Sequence, residues 1–194
     1  MEVKINMKKI ASLFLAAVMA VALASCGTPA SGNGSGSSSP AVGYPDEDGY
    51  AEGYLNDTMH TYFFDFTIKS AYVCSQYENY VPQEGNELLV AEMTIKNTHQ
   101  QSLPMFDTDF QVQWGDTADD AFDVPITYYA ESTDTIGENV LPYEYMLAVN
   151  ETRTGLLIFE VPEGKSDFNI SYLEEFDNDT TGDLFFVYFT AERK

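Results

Sequence analysis

Glu87-Leu88-Leu89-Val90-Ala91-Glu92-Met93-Thr94-Ile95-Lys96-Asn97 decides the fold. Leu89, Ala91, Met93 and Ile95 recur at every second position, and Glu92, Thr94 and Lys96 fill the places between. A two-residue period sends alternate side chains to opposite faces of an extended chain, so the stretch predicts a strand with one face on a core. The same period returns on both sides of it. Upstream, Tyr62 to Cys74 puts Tyr62, Phe64, Phe66, Ile68 and Tyr72 on one face, and a regular strand adds Cys74 to it. Downstream, Phe110, Val112 and Trp114 alternate with Asp109, Gln111 and Gln113. Phe122 to Tyr129 reads as a weaker strand, and its Pro125 suits a sheet edge. Tyr143 to Val149 is another; Thr154 to Val161 turns Leu157, Phe159 and Val161 to one side. Phe168, Ile170 and Tyr172 mark a short strand, and Leu184 to Thr190 closes the chain.

Turn-forming clusters separate these runs: Pro82-Gln83-Glu84-Gly85-Asn86, Gly115-Asp116, Pro162-Glu163-Gly164 and Asp177 to Gly182. No stretch shows sustained helical periodicity with caps, and no internal repeat is present. About eight short strands over roughly 135 residues predict an all-β chain folded as a sandwich, in which two alternating faces bury each other. An immunoglobulin Cys…Trp…Cys pattern is absent, so the core rests on packing.

Two motifs carry a family resemblance. Gly85-Asn86-Glu87-Leu88-Leu89-Val90-Ala91-Glu92-Met93-Thr94-Ile95-Lys96-Asn97-Thr98 is one, and Glu151-Thr152-Arg153-Thr154-Gly155-Leu156-Leu157-Ile158-Phe159-Glu160-Val161-Pro162 the other. Together they resemble a widespread bacterial domain of unknown function borne by lipoproteins and secreted proteins. The resemblance, over about residues 60–192, implies an immunoglobulin-like antiparallel β-sandwich similar to the mycobacterial immunoprotective extracellular antigen, and a surface location. In that family a Pro-Gly turn usually precedes the second motif, where this chain has Val149-Asn150. No catalytic residues come with the resemblance.

The N-terminus supplies an address. Lys8 and Lys9 precede an uncharged run from Ile10 to Ala24, rich in Ala, Leu and Val, which describes a secretory signal; Met7 offers a second start. At 15 residues the run is short of the roughly 20 that span a bilayer. It ends Leu23-Ala24-Ser25-Cys26-Gly27, which resembles the lipobox of bacterial lipoproteins, so cleavage is expected between Ser25 and Cys26 with lipid on the Cys26 thiol. Two acyl chains, at about 0.8 kcal/mol per buried methylene, anchor a protein stably where one does not. Thr28 to Gly43, nearly all Gly, Ser, Pro, Ala and Asn, reads as a flexible coil. The acidic run from Pro45 to Tyr54 continues it, and Tyr44, Tyr50 and Tyr54 read as linker residues among acids. The expected organisation is therefore 1–25 signal peptide, 26–58 lipidated Cys and leash, and 59–194 sandwich.

Charge narrows the partners. The chain holds 31 acidic and 9 basic residues, for a net −22, and removing the leader leaves 30 acids against 6 bases. Phosphate binding needs clustered Lys and Arg, so nucleic acid is excluded, and an anionic membrane repels the domain. Membrane attachment is then expected through the lipid. With Cys26 acylated, Cys74 has no partner in the chain and reads as a buried free thiol.

Catalytic constellations are thin. His60 and His99 are the only histidines, neither has a His or Cys at ligand spacing, and no Gly-x-Ser-x-Gly elbow exists. The carboxylate pairs Asp107 and Asp109, Asp119 and Asp120, and Glu174 and Glu175 are what 31 acids produce by chance. Calcium is the one ion with a sequence argument, since Asp177-Asn178-Asp179-Thr180-Thr181-Gly182-Asp183 concentrates hard oxygens in a turn. Asp177, Asp179 and Asp183 would be the ligands, although Tyr188 at loop position twelve departs from an EF-hand, and a plain hairpin turn accounts for the same residues. Asp116, Asp119, Asp120 and Asp123 make a second acidic loop. Tyr128, Tyr129, Tyr143 and Tyr145 form either core and edge packing or a ligand face. The reading is a membrane-anchored extracytoplasmic lipoprotein displaying a non-enzymatic binding domain, without cofactor, for an unidentified protein or envelope ligand. The alternative is a calcium-dependent structural or adhesive module; a third reading, a hydrolase, needs two carboxylates about 5–10 Å apart in a cleft.

Overall fold

A computed structural model describes residues 41–115, 121–129, 136–176 and 180–194. The expected signal peptide, Ser25 and Cys26, the first part of the leash, and Asp116, Asp119, Asp120, Asp177 and Asp179 lie outside them. Among the described residues there are strands β1 (Tyr50–Tyr54), β2 (Met59–His60), β3 (Phe64–Cys74), β4 (Asn86–Asn97), β5 (Leu103–Phe106), β6 (Phe110–Gln113), β7 (Phe122–Asp123), β8 (Glu144–Leu147), β9 (Thr152–Pro162), β10 (Asp167–Phe176), β11 (Thr180–Thr190) and β12 (Glu192–Arg193). Single 3-10 turns at Asp107–Asp109 and Ile126–Tyr128 interrupt them. No helix among these residues is long and apolar enough to cross a membrane.

The strands make the expected all-β sandwich. One sheet runs β1-β11-β10-β6-β7 and the other β12-β3-β4-β9, with β2 added to β3 and β5-β8 forming a separate ribbon. Interior pairings are antiparallel, as expected, but both additions at the rims are parallel: β1 on β11 and β12 on β3. Each hides an otherwise open edge, which limits pairing with other chains. The free side of β9 is covered too, because Leu156 N–H donates to Asn139 and Leu141 N–H to Leu156, at 2.8 and 2.9 Å.

The alternation in β4 and β9 is realised as read. Leu89, Ala91, Met93 and Ile95, with Leu157, Phe159 and Val161, face Phe110, Val112, Phe168, Ile170, Tyr172, Phe185 and Val187 of the opposite sheet. Phe66, Phe110, Phe159 and Phe185 are fully buried, and Phe66 meets Phe110 edge to face at 5.4 Å. Asn97, at the end of the first family-like motif, is buried and directs two turns: its Nδ2 donates to the Gln101 and Leu147 carbonyls, and its Oδ1 accepts from His99 N–H. At Val149-Asn150, Asn150 takes a φ of 61° and Glu151 N–H returns to the Ala148 carbonyl at 2.9 Å. Asn tolerates that left-handed backbone, so it does the work of the family's usual glycine.

Three expectations are corrected. First, β3 is not regular. Its pairing with β4 shifts between Ile68 and Ser70, so Lys69 is an extra residue and the inward series changes from Phe64, Phe66 and Ile68 to Ala71 and Val73. Tyr72 and Cys74 are thereby turned to the outer face, where they join a second cluster built on Leu88, Val90, Ile126, Ile136 and Ile158. Second, Phe122–Tyr129 is a two-residue edge strand followed by a 3-10 turn after Pro125, because proline has no N–H for a ladder. Third, the expected leash is not irregular throughout: β1 at Tyr50–Tyr54 pairs with β11, whereas β2 starts at Met59, where the sandwich was expected to begin.

Candidate functional site

The acidic run expected to be linker is a turn that launches β1. Asp46 Oδ1 accepts from Asp48 N–H at 2.9 Å and Tyr50 N–H at 3.0 Å, and Gly49 lies between them with φ 81°. The carboxylate thus supplies the backbone partners an isolated loop would seek in water. Gly49 C=O then accepts from Leu184 N–H at 2.9 Å, which sets β1 beside β11. Along β1, Ala51 is buried and Gly53 lets Met59 approach, since a Cβ there would stand 2.9 Å from Sδ. Tyr50, Glu52 and Tyr54 consequently point outward.

Strand register assembles an outer face from five segments that are far apart in sequence. Tyr54 lies beside Tyr188, Tyr188 beside Asn169, Asn169 beside Gln113, and Gln113 beside Phe122. At about 4.8 Å per strand this row measures about 19 Å, with aromatics at both ends and carboxamides between. A second row runs Glu52, Phe186, Ser171, Gln111. Tyr54 and Phe122 are open to solvent at 67% and 41%, whereas Asn169 and Ser171 on the central strand are each only 6% exposed. Asn169 and Ser171 are buried at the centre of this face, between Phe186 and Tyr188 of β11 on one side and Gln111 and Gln113 of β6 on the other. The Phe186 and Tyr188 rings are nearly parallel, at 21°. Tyr188 hydroxyl donates to Glu52 Oε1 at 3.4 Å, and burial beside that carboxylate pushes its pKa up to about 12, so it remains a donor. Asn169 Nδ2 donates to Gln113 Oε1 at 3.3 Å, while its buried Oδ1 has no donor among the described residues.

The expected tyrosine group is divided. Tyr128 meets Tyr129 edge to face at 5.0 Å and Tyr143 at 6.4 Å, all three exposed. Tyr145 instead faces inward under the Arg153 guanidinium, 4.5 Å from its ring, and burial raises its hydroxyl pKa. Asp107 and Asp109 share a turn: buried Asp107 accepts from the Thr127 hydroxyl with one oxygen and leaves Oδ1 without a donor, and Asp109 accepts from Phe106 N–H at 2.8 Å. Burial pushes each carboxyl up to about 6. Asp107 ties its turn to the Ile126–Tyr128 turn through the Thr127 hydroxyl, and Asp109 closes its own turn on the Phe106 N–H, which are structural uses. Glu174 is buried and accepts from the N–H groups of Tyr62 and Asp183 at 2.7 and 3.2 Å, while Glu175 is exposed.

The histidines do different things. His60 pairs with Asp65 at 2.9 Å and stacks on Tyr44, and His99 packs among Tyr62 and Phe63. Cys74 is free and half-buried, with burial raising its thiol pKa, which makes it a poor nucleophile. Of the calcium ligands expected, Asp183 alone is described, and among the described residues no three His, Cys, Asp or Glu are grouped to hold a metal. The row that begins at Tyr54 was missed in the sequence because it needs β1 recognised as a strand and its register with β11. The available signal was the outward alternation of Tyr50, Glu52 and Tyr54 around Ala51 and Gly53.

Comparison with known proteins agrees with this architecture. A family model for the domain of unknown function DUF4352 matches residues 54–183. No curated protein matches the chain. A candidate lipoprotein of Bacillus subtilis, ycdA, is similar in structure with a TM-score of 0.52 at 17% identity, over 69% of this chain and 38% of that one. The chain therefore spans well under half of ycdA. The yjhA protein of Bacillus subtilis has a TM-score of 0.50 at 17% identity over 70% of this chain and 99% of its own. An uncharacterized β-sandwich protein of Clostridium difficile follows at 0.43, 13% identical, over 72% and 93%. The likenesses to ycdA and yjhA bear on the fold alone.

Proposed function

The chain belongs to the family of the domain of unknown function DUF4352, and from that premise we propose that it is a lipid-anchored, extracytoplasmic binding protein without enzymatic activity. Its sandwich is the displayed module, kin in fold to the mycobacterial immunoprotective extracellular antigen, and the outer face of the β1-β11-β10-β6-β7 sheet is where its partner docks. One observation carries the binding half: strand register gathers Tyr54, Tyr188, Asn169, Gln113 and Phe122 into a single outward row with solvent-open aromatic ends. Aromatic rings combined with hydrogen-bonding tips are the side chains that recognition surfaces favour. The anchoring half rests on Leu23-Ala24-Ser25-Cys26 behind an apolar run, and is in keeping with a structural neighbour described as a candidate lipoprotein.

Each half has its own test. Mass spectrometry of the mature N-terminus should find a diacylated Cys26, and Cys26→Ser should move the protein from the membrane fraction to the soluble one. An unmodified thiol at Cys26 refutes the anchor. For binding, the chain is used as bait against its native envelope, alongside Tyr54→Ala and Tyr188→Ala. Retention of any envelope component by the wild type, with loss in both variants, is the expected result. Identical retention by all three refutes the docking face.

A further inference from the structure

Resting on that reading of the same face, we infer that its partner is a basic protein segment, one of whose Arg or Lys side chains seats on the Glu52 carboxylate of β1. Strand geometry surrounds that carboxylate with aromatic groups. Tyr50 and Tyr54 flank it two residues away on the outward side of β1, and register sets Phe186 directly beside it, with Tyr188 one outward position further along β11. Two residues of strand measure about 6.6 Å and one strand spacing about 4.8 Å, so a cation at Glu52 is flanked by rings at about the range over which cation–π attraction acts. Tyr50 and Tyr54 are open to a partner, at 45% and 67% exposure. Glu52 is itself exposed, and the Tyr188 hydroxyl it accepts at 3.4 Å is neutral, so the carboxylate keeps its charge. None of the ion pairs among the described residues involves it. The effect is felt next door, where burial and then the Glu52 charge push the Tyr188 hydroxyl up to about 12.

The rest of the face selects a cation over other occupants. The outward positions of β1, β11, β10 and β6 hold no Lys or Arg, and Asp167 and the exposed Glu175 add two further carboxylates. An anionic polymer or an anionic lipid surface therefore meets repulsion there and no counter-charge. A second copy of the chain would bring the same carboxylates against these, on a protein that carries 31 acids against 9 bases. Addition of a partner strand to the edge of β1 is obstructed as well. Tyr50 N–H donates to Asp46 Oδ1 at 3.0 Å, and Tyr50 C=O accepts from Asp46 N–H at 2.8 Å. Tyr54 N–H donates to Asp57 Oδ2 at 2.8 Å, and Tyr54 C=O accepts from Asp57 N–H at 3.0 Å. The chain's own aspartates thus close both ends of that edge, and recognition falls to side chains. An Arg or Lys suits them: its charge answers Glu52, the tyrosine faces attract the cation, and its aliphatic stem covers aromatic surface.

The test is titration calorimetry of the full chain at low ionic strength with a capped peptide of four Gly-Arg repeats, and with the same peptide carrying citrulline, which keeps the shape and loses the charge. The arginine peptide should bind with a Kd below about 5 mM, and the citrulline peptide about tenfold more weakly or worse. Glu52→Gln and Tyr54→Ala should each weaken the arginine peptide by about threefold or more without moving Tm. Glu92→Gln, which removes an exposed carboxylate from β4 in the other sheet, should leave binding unchanged. No binding of the arginine peptide up to about 5 mM overturns the inference. So does a loss in Glu52→Gln no larger than in Glu92→Gln, which marks attraction to the overall charge of the chain. If Glu52→Gln still holds an envelope component that Tyr54→Ala and Tyr188→Ala both lose, the docking face stands and the cation assignment falls; if all three hold it, the docking face falls too.

Discussion

Asp107→Asn gives the sharpest check on how the sandwich is held together. Asp107 is 1% exposed, its Oδ2 accepts from Thr127, and its Oδ1 has no donor among the described residues. Burial without a cation raises the carboxyl from its ordinary 3.8 to about 6, so the folded state holds the proton over a range where the unfolded chain has lost it. Folding then takes up a proton between those values, and stability increases as pH falls through about 6 toward 3.8. Ionisation at pH 8 costs about 3 kcal/mol, of which roughly 2 kcal/mol is recovered by pH 4.5. Asn keeps the acceptor for Thr127 and removes the charge, but its NH2 replaces an oxygen without a partner and loses about 1–2 kcal/mol. The substitution should therefore stabilise at pH 8 and be neutral or destabilising at pH 4.5. The difference between wild type and variant should change by about 2 kcal/mol across that interval. Subtracting the variant also cancels the relief of self-repulsion expected as a chain of net charge −22 is titrated. Urea unfolding of both proteins at the two pH values measures it. A difference that stays constant between them would refute a buried, unpaired Asp107 carboxylate.

Other outcomes follow from the same fold. Phe159→Ala, in the centre of the core and 0% exposed, should cost about 3–5 kcal/mol in denaturant unfolding, and a loss below about 1 kcal/mol would contradict the packing. Asn150→Gly should change stability by no more than about 0.5 kcal/mol, whereas Asn150→Val should lose about 1–2 kcal/mol, because a β-branched residue resists φ of 61°. If Asp177, Asp179 and Asp183 hold calcium, thermal melts should rise with the ion and fall with chelator, by about 2.7 kcal/mol at a hundredfold excess over Kd. A melt unmoved by millimolar calcium removes that alternative.

What was legible in the sequence was local and periodic. Alternation in β4, β9 and β10 is visible without the fold because each strand buries one complete face, and a two-residue period then separates inside from outside. The expected export signal and the lipobox-like Leu23-Ala24-Ser25-Cys26 are equally local, being read by chain length, charge and residue size alone. Alternation failed at Lys69 because a bulge is decided by pairing with β4 and leaves no period of its own. It failed again at β1, where acids and glycines resemble solvated linker until Asp46 closes its turn and β11 supplies the ladder. The candidate site lies wholly in that second category. Tyr54, Tyr188, Asn169, Gln113 and Phe122 span 135 residues of chain with no spacing that links them, and become neighbours only because four strand pairings fix their register. By itself, the amino-acid order determined a β-sandwich and an expected address at a membrane. Which outward side chains stand together was settled by tertiary pairing, since register between distant strands is a property of the whole sheet and of no single segment.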